Sequence, residues 1–315
     1  MGIPRLNRFL RNRCSSGSIR TVSLNDLRGQ RVVIDSSIYL YKYLAEGCYV
    51  ENLYTLATKL RSFRISALFV FDGKPPEEKQ DEILRRYERK SRCYAQYVDA
   101  LAEYNALDPG PAKHRMKFEL EKLRRQFVRL SPEDISLARD LICSYGFQTF
   151  DAVGEADSVC ARLVQIGAAD ACLSEDTDLF PFGCPVVLRH LSLADSTVLR
   201  YDLDSILRDL GMSLQQFREV CVASGCDYDS SSGRSINESV RLFGSFVKSG
   251  SEQSFLDWLT SSTGYISDPK ATNRALSLFG AEDMPLPSLE IKLSSVDVTG
   301  LRSLLENNGF LFTDQ

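Results

Sequence analysis

The sequence predicts an α/β fold, with a mostly parallel central sheet flanked by helices, a helical insertion and a helical C-terminal part. Three observations lead there. Residues 31–34 and 67–71 are short apolar runs, each delivering an aspartate at its end, Asp35 and Asp72. Continuous apolar runs of this length suit strands covered on both faces, as in parallel sheets. Residues 77–129, by contrast, are highly charged with little apolar stripe, and beyond residue 202 the pattern is helical.

In chain order, residues 3–10 predict a short helix with Leu6, Phe9 and Leu10 on one side, followed by a polar, Ser-rich loop. Strand 31–34 ends at Asp35 and a helix begins at once with Ser36 and Ser37. Strand 67–71 ends at Asp72 before Gly73-Lys74-Pro75-Pro76. A long charged helix over 77–105 breaks near 108–111, and a basic helix over 112–129 follows. With so little apolar surface, the pair is expected to project as an arch or hairpin. Ser131-Pro132 starts the next helix, with serine at the cap and proline in the first turn. That helix ends near Gly146, and 147–150 reads as a third strand. Residues 186–189 and 198–201 read as later strands that can form a hairpin, and a helix ends near Ser224.

Composition narrows the class. With 315 residues, 43% hydrophobic and 25% charged, the chain can build one large core or two modest domains. No apolar run approaches the ~18–20 residues that span a bilayer. Arginines interrupt each apolar run near the N-terminus, so no signal peptide is expected, and Leu6 occupies the position that myristoylation reserves for Ser or Thr. Nine scattered cysteines without a C-x-x-C pair, and two histidines, argue against structural zinc or an iron–sulfur cluster. A reduced, soluble, intracellular protein is expected. Net charge is −4, but it is unevenly spread: residues 1–31 hold seven arginines against Asp26, residues 74–129 hold fourteen basic against ten acidic side chains, and residues 130–315 hold thirteen against twenty-seven. A basic surface can hold a phosphate backbone, and an acidic region can hold metal. The simpler reading of the basic helices is a solvated face.

The segment 154–178 concentrates the chemistry. Glu155 and Asp157 open an amphipathic helical run over 158–166 that Gly167 can close, residues 171–173 form a short buried strand, and Glu175, Asp176 and Asp178 follow with no basic residue among them. Ligands of α/β sheets bind at the carboxyl ends of strands. Carboxylates gathered there repel one another unless a cation joins them, and hard oxygen donors suit Mg²⁺ or Mn²⁺. Two plainer readings stand beside this one. First-turn acids gain about 0.3–1 kcal/mol from the helix dipole, and Asp35 and Asp72 can be caps or turn residues.

Read together, these residues resemble the flap endonuclease and xeroderma-type (Rad2-like) family of structure-specific nucleases. The matching stretches are M-G-I at the start, V-I-D-S-S at 33–37, F-D-G-K-P-P at 71–76, G-E-A-D at 154–157, E-D-T-D-L-F-P-F-G at 175–183 and G-C-D-Y at 225–228. The resemblance implies a PIN-like nuclease core over residues 1–225, with a helical arch over about 77–129, and a helical DNA-binding region over 226–315. It implies metal-site carboxylates at Asp35, Asp72, Glu155, Asp157, Asp176, Asp178 and Asp227, with Asp157 standing where many members carry Glu. Two Mg²⁺ ions, replaceable by Mn²⁺, would serve hydrolysis there. Lys79 and Arg86 would stabilise charge on the phosphate, Tyr41 would stack on a base, Arg89 would contact nucleic acid, and Gly2 would pack beside the metals. Residues 289–293 and 298–308 look like the family's closing strand and helix.

The clearest departure follows Asp227. Where the family carries a helix–hairpin–helix with a G-I-G-P-type turn, residues 229–239 retain Gly233 and lack the proline, although the amides of 235–237 could still nest a phosphate. The expected activity is therefore 5′-flap endonuclease or 5′→3′ exonuclease action on DNA junctions. The alternatives are an RNA endonuclease of the same fold and a non-catalytic nucleic-acid-binding scaffold. A monomer without membrane contact is expected, in the nucleus, or at a cytoplasmic replication site if the chain is a compact viral member. The sequence supports no sliding-clamp peptide, the Phe310-Leu311-Phe312 tail being only a faint echo of one.

Overall fold

The computed structural model describes residues 2–228, 235–280 and 289–312. Among these, β1 (Ile19–Ser23), β2 (Arg31–Asp35), β3 (Ser66–Phe71), β4 (Gln148–Asp151), β5 (Ala171–Leu173), β6 (Val186–Ser192) and β7 (Thr197–Asp202) form one sheet in the order β1-β7-β6-β5-β2-β3-β4. Strands β2 to β6 pair in parallel with one another, β7 runs antiparallel to β6, and β1 runs antiparallel to β7. The expected α/β architecture, mostly parallel and with a late hairpin, is what forms.

Alternation along the strands separates two cores. Val33, Leu68, Val70, Cys172 and Val187 point to one face, and Val32, Ile34, Ala67, Phe69, Phe71, Ala171, Leu173 and Leu188 point to the other. The second face is covered by α2 (Ser36–Glu46), α3 (Tyr49–Ser62), α6 (Pro132–Ser144) and α13 (Val298–Asn307) through Leu40, Leu56, Leu141 and Leu305. The first face is covered by α1 (Leu6–Arg13), α7 (Ala156–Gln165) and the run α8 (Leu203–Leu210), α9 (Leu214–Ala223), α10 (Ile236–Ser249), α11 (Phe255–Thr263) and α12 (Pro269–Phe279). That core is continuous from Ile3 to Ile291, so the C-terminal helices share it with the sheet. In α1, Leu6, Phe9 and Leu10 are the buried residues, as their spacing requires, each worth ~1.5–3 kcal/mol of burial.

The arch helices are α4 (Gln80–Ala106), entered through a 3₁₀ turn at Glu77–Lys79, and α5 (Pro111–Arg124). They pack on each other, and Cys93 and Leu120 are their only buried residues, in keeping with the missing apolar stripe. The second helix ends at Arg124, five residues short of its expected end. Ser131 caps α6 in a reciprocal box: its hydroxyl accepts from Asp134 N (3.1 Å), and Asp134 Oδ2 accepts from Ser131 N (2.9 Å).

Two expectations are corrected. The Ser-rich stretch after α1 is not all loop. It contains β1, whose exposed Arg20 and Thr21 hid it, because an edge strand beside β7 needs little apolar surface. Conversely, residues 289–293 form no strand. Ser294 N reaches Gly146 O (2.9 Å), but Lys292 N is taken by the Gln148 side chain (2.9 Å), so no ladder extends beyond β4. The closing helix forms as α13.

The topology fixes where a site can lie. From β2 the chain winds one way to β3 and β4, and α7 then carries it back to β5 and β6 on the other side of β2. The winding reverses between β2 and β5, and the crevice at the carboxyl ends of strands flanking such a reversal is the natural binding place of an open α/β sheet.

Candidate active site

The seven carboxylates expected from the sequence come from five separate segments that meet at this reversal. Asp35 ends β2, and Ser174, directly after β5, donates its hydroxyl to Asp35 Oδ2 (2.8 Å), tying the two strands together at the crevice. Asp35 holds the cap position of α2 but makes no side-chain cap bond, so the plain capping reading fails there. Asp72 does act partly as a cap, since its Oδ1 accepts from Ala156 N at the start of α7 (2.8 Å). The loops bearing Asp72 and Glu155 are joined by their backbones, Gly73 N to Gly154 O (2.7 Å) and Lys74 N to Val153 O (3.1 Å). A Cβ at Gly73 would strike the Val153 carbonyl oxygen at 2.5 Å and the Ala152 carbonyl closer still, which explains the glycine.

Glu155 caps α7 in position only; its Oε1 pairs with Lys79, and its Oε2 accepts from the Tyr228 hydroxyl (2.7 Å). Asp157 lies in the first turn of α7, buried, with Oδ1 unpartnered. In the turn after β5, Asp176 N takes Ser174 Oγ (3.0 Å) and Asp178 N takes Asp176 Oδ1 (3.0 Å). Asp178 is fully buried, and neither of its carboxylate oxygens has a hydrogen-bond partner. Asp227 follows α9 and is paired with Arg86, with Lys79 Nζ at 3.7 Å.

Electrostatics register the crowding. Burial, then Asp72, raises the Asp35 carboxyl to about 7 against the Ser174 hydrogen bond. Burial and neighbouring acids hold Asp157 and Asp178 well above the carboxylate range, and burial raises Asp176. The arch supplies the opposing charge. Lys79, buried at the end of its 3₁₀ turn, would be lowered by burial, but Glu155, Asp157 and Asp227 raise it. Arg86, in the second turn of α4, also holds Glu82 (2.9 Å).

This donor set suits hard divalent cations. Among the described residues no three side chains are already arranged around one ion, because Glu155 and Asp227 are turned onto Lys79 and Arg86. The three buried, unpartnered oxygens of Asp157 and Asp178 nevertheless need a cation or a proton, and all the donors are oxygen. Gly2 sits against this turn at φ +74°, where a Cβ would fall 2.6 Å from Thr177 Oγ1 and nearer still to Asp176 and Asp178. Beside the carboxylates lies a pocket of about 280 Å³ that includes Tyr41. Tyr41 is 41% exposed, so it is not a core aromatic, and Lys90 Nζ stands 4.8 Å over its ring. Arg86 lines this pocket and also a cavity of about 820 Å³ on its other side, which Gly2, Arg89 and Asp227 border.

The hairpin departure at 229–234 lies outside the described residues, as does Met1. Ser235 caps α10 without a side-chain bond and borders the larger cavity. Sequence reasoning missed Ser174, Tyr228, Lys90 and Arg189. Tyr228 lay inside a quoted motif and Ser174 directly after a predicted strand, but their partners come from distant segments. Only the sheet order brings Ser174 to Asp35.

Residues 1–93 match the XPG N-terminal domain and residues 146–227 the XPG I-region, together more than half of the chain. The chain is 30% identical over 250 residues to Flap endonuclease 1 of Leishmania braziliensis (72% of this chain, 60% of the relative) and 27% identical over 332 residues to that of Leishmania infantum (97% and 80%). It is 29% identical over 259 residues to that of Cryptosporidium muris, of which it spans about half, 52%. Among solved structures, its fold is similar to the catalytic core of Rad2 in complex with DNA substrate (TM-score 0.69, 19% identity, 97% of this chain and 94% of that one) and to flap endonuclease-1 from Methanococcus jannaschii (TM-score 0.64, 21% identity, 92% and 90%). With both XPG regions matched in order and the strand-end carboxylates within them, the chain belongs to the Rad2-like flap endonuclease family.

Proposed function

We propose that this protein is a metal-dependent, structure-specific nuclease that hydrolyses DNA phosphodiesters at 5′-flaps or single-strand/double-strand junctions. The observation that carries this reading is the meeting of seven carboxylates at the sheet reversal, with buried oxygens left unpartnered and two arch cations inserted among them. Asp35, Asp72, Glu155, Asp157, Asp176, Asp178 and Asp227 would hold two Mg²⁺ ions, or Mn²⁺. When bound, such ions polarise a phosphodiester and lower the pKa of an attacking water. The 1–225 segment carries six of these residues, and the 226–315 segment contributes Asp227 and the helices beside the site.

The chain's own residues do the rest. Lys79 and Arg86 reach the site from the arch, and each already holds a carboxylate. An arriving phosphate gives them oxygens of the same charge to turn to, and their positive ends then stabilise charge that builds on it. Tyr41 offers an exposed ring at the edge of the carboxylate pocket, where a base can stack on the face that the Lys90 ammonium, held by Val128 O (3.0 Å), leaves open. Gly2 lets the chain start lie against the Asp176–Asp178 turn, where any side chain would collide.

The test is cleavage of a labelled 5′-flap DNA in Mg²⁺ by untagged protein, beside a matched RNA flap and a plain single strand, with Asp178→Ala alongside. Cutting at the flap junction, absent from the variant, is expected. Preference for the RNA flap would move the substrate to RNA, and binding without cutting in either Mg²⁺ or Mn²⁺ would leave a scaffold.

A further inference from the structure

The larger cavity contains a charged group that the chemistry above does not use. Arg189, on β6, is 5% exposed, and its Nη2 donates to Glu175 O (2.6 Å). Its Nε and Nη1 have no hydrogen-bond partner. Glu175 does not fill that need: its Oε1 accepts from His190 N (2.5 Å), its Oε2 lies 3.2 Å from His190 Nδ1, and Arg189 Nε is 3.8 Å from that oxygen, beyond hydrogen-bond reach. Phe180 and Tyr201 flank the guanidinium at 5.9 Å. A guanidinium keeps its charge even when buried, and unmet buried donors are costly, so this group is held ready for an acceptor that arrives from outside.

The cavity's remaining charge points the same way. The acids along its wall are engaged: Glu82 and Asp227 with Arg86, and Glu175 with the backbone N of His190 and, as an ion pair at 3.8 Å, with Arg189. Arg5, Arg85 and Arg89 line the same space, and among the described residues none of them pairs with a carboxylate. The space is adjacent to the carboxylate pocket, with Arg86 bordering both, and at about 820 Å³ it admits a nucleotide rather than a lone ion.

We infer that this cavity is a second phosphate site, anchored by Arg189, which holds a phosphate of the strand whose neighbouring phosphodiester lies at the carboxylates. The inference rests on the nuclease reading and adds to it a strand-positioning device. The phosphate is either an internal diester or a terminal 5′-monoester. With the strand held on both sides of Arg86, the scissile bond is set by two grips instead of one.

The test pairs protein variants with single-phosphate changes. Flap DNAs carry one uncharged methylphosphonate at successive flap positions, with a 5′-phosphate or a 5′-hydroxyl end. Binding is measured in Ca²⁺ and cleavage in Mg²⁺, for wild type, Arg189→Met, Arg189→Lys and Arg85→Ala. Loss of one charge-assisted contact is expected to weaken binding about tenfold. One methylphosphonate position should cost wild type that factor, Arg189→Met should cost the same on unmodified DNA, and combining the two should add nothing. Arg189→Lys should recover part of the loss. Arg85→Ala changes an exposed side chain of α4 and leaves folding aside; it should weaken binding several-fold in the same pattern. An internal diester keeps the effect at one position whatever the 5′ end, and a terminal monoester makes it follow the 5′-phosphate on one-nucleotide flaps. Arg189→Met losses that multiply with every methylphosphonate, or an Arg189→Met protein that binds and cuts like wild type, overturn the second site while the nuclease reading stands. A wild-type protein that neither binds nor cuts any flap overturns both.

Discussion

At the scale of single residues, Asp178 is buried beside other acids with neither of its carboxylate oxygens hydrogen-bonded. Asp178→Asn keeps the shape and removes one charge. In EDTA it should raise Tm, by about 2–4 °C for each kcal/mol of repulsion relieved, while cleavage in Mg²⁺ falls by about 10²-fold or more. A variant destabilised in EDTA would show that repulsion is not what the site stores. The pH dependence has a definite sign. Asp35 is raised to about 7, Asp157, Asp176 and Asp178 move in the same direction, and an unfolded aspartate titrates near ~3.9. Between those values the folded state binds more protons than the unfolded one, so stability present at low pH is lost as pH rises toward 7. Thermal melts in EDTA should therefore fall from pH 5 to pH 7.5, and Mg²⁺ should reduce that fall; a profile rising with pH would contradict it. The lowered Asp170 and Asp202 titrate below this window. Asp35 and Asp72 were legible as strand-end acids and Glu155, Asp157, Asp176 and Asp178 as an acidic cluster, whereas Asp227, Lys79, Arg86 and Tyr41 were singled out by the family resemblance. The structure places them around one crevice. Arg189 was not legible, because what sets it apart is burial without partners, a property of three dimensions.

Among elements, the arch follows most directly from composition. Helices α4 and α5 bury almost nothing, so tertiary packing adds little to their stability, and they are held chiefly by each other and by Lys79 and Arg86 at the base. Limited trypsin digestion read by mass spectrometry should cut first between residues 106 and 129, around Lys113 and Arg115, and bound flap DNA should slow those cuts. First cuts in α7 or α9 would contradict this. The elements that sequence reading missed share a cause. Strand β1 is an edge strand with two exposed residues, and 289–293 has strand-like residues whose backbone donor at Lys292 goes to a side chain. In both places hydrogen-bond partners decide the structure, not apolar pattern.

Over the whole molecule, the charge asymmetry read from the sequence acquires a location. Arginines from the N-terminal segment and the arch share one cavity beside the carboxylates, in a chain whose net charge is −4. Affinity for junction DNA should therefore rest on phosphate contacts and fall steeply with salt, with log K against log[salt] sloping by about −0.9 for each phosphate engaged. Arg85→Ala should make that slope shallower by about one, and an unchanged slope would place the contact elsewhere. The α/β class, the strands ending at Asp35 and Asp72 and the arch could be foreseen. The single core joining the C-terminal helices to the sheet could not, because apolar spacing shows which face a helix buries but not what it is buried against.

The donors are supplied at positions 35, 72, 155, 157, 176, 178 and 227, and β5 enters the sheet beside β2 only after β3 and β4 have been made. During synthesis, then, β2 waits with one edge open until residues 171–173 leave the ribosome, and the last acid arrives some fifty residues after them. A product of interrupted translation carries fragments of the carboxylate set but not the crevice that gathers them. On the proposed nuclease reading, the capacity to cut would therefore arise only once most of the chain has been read.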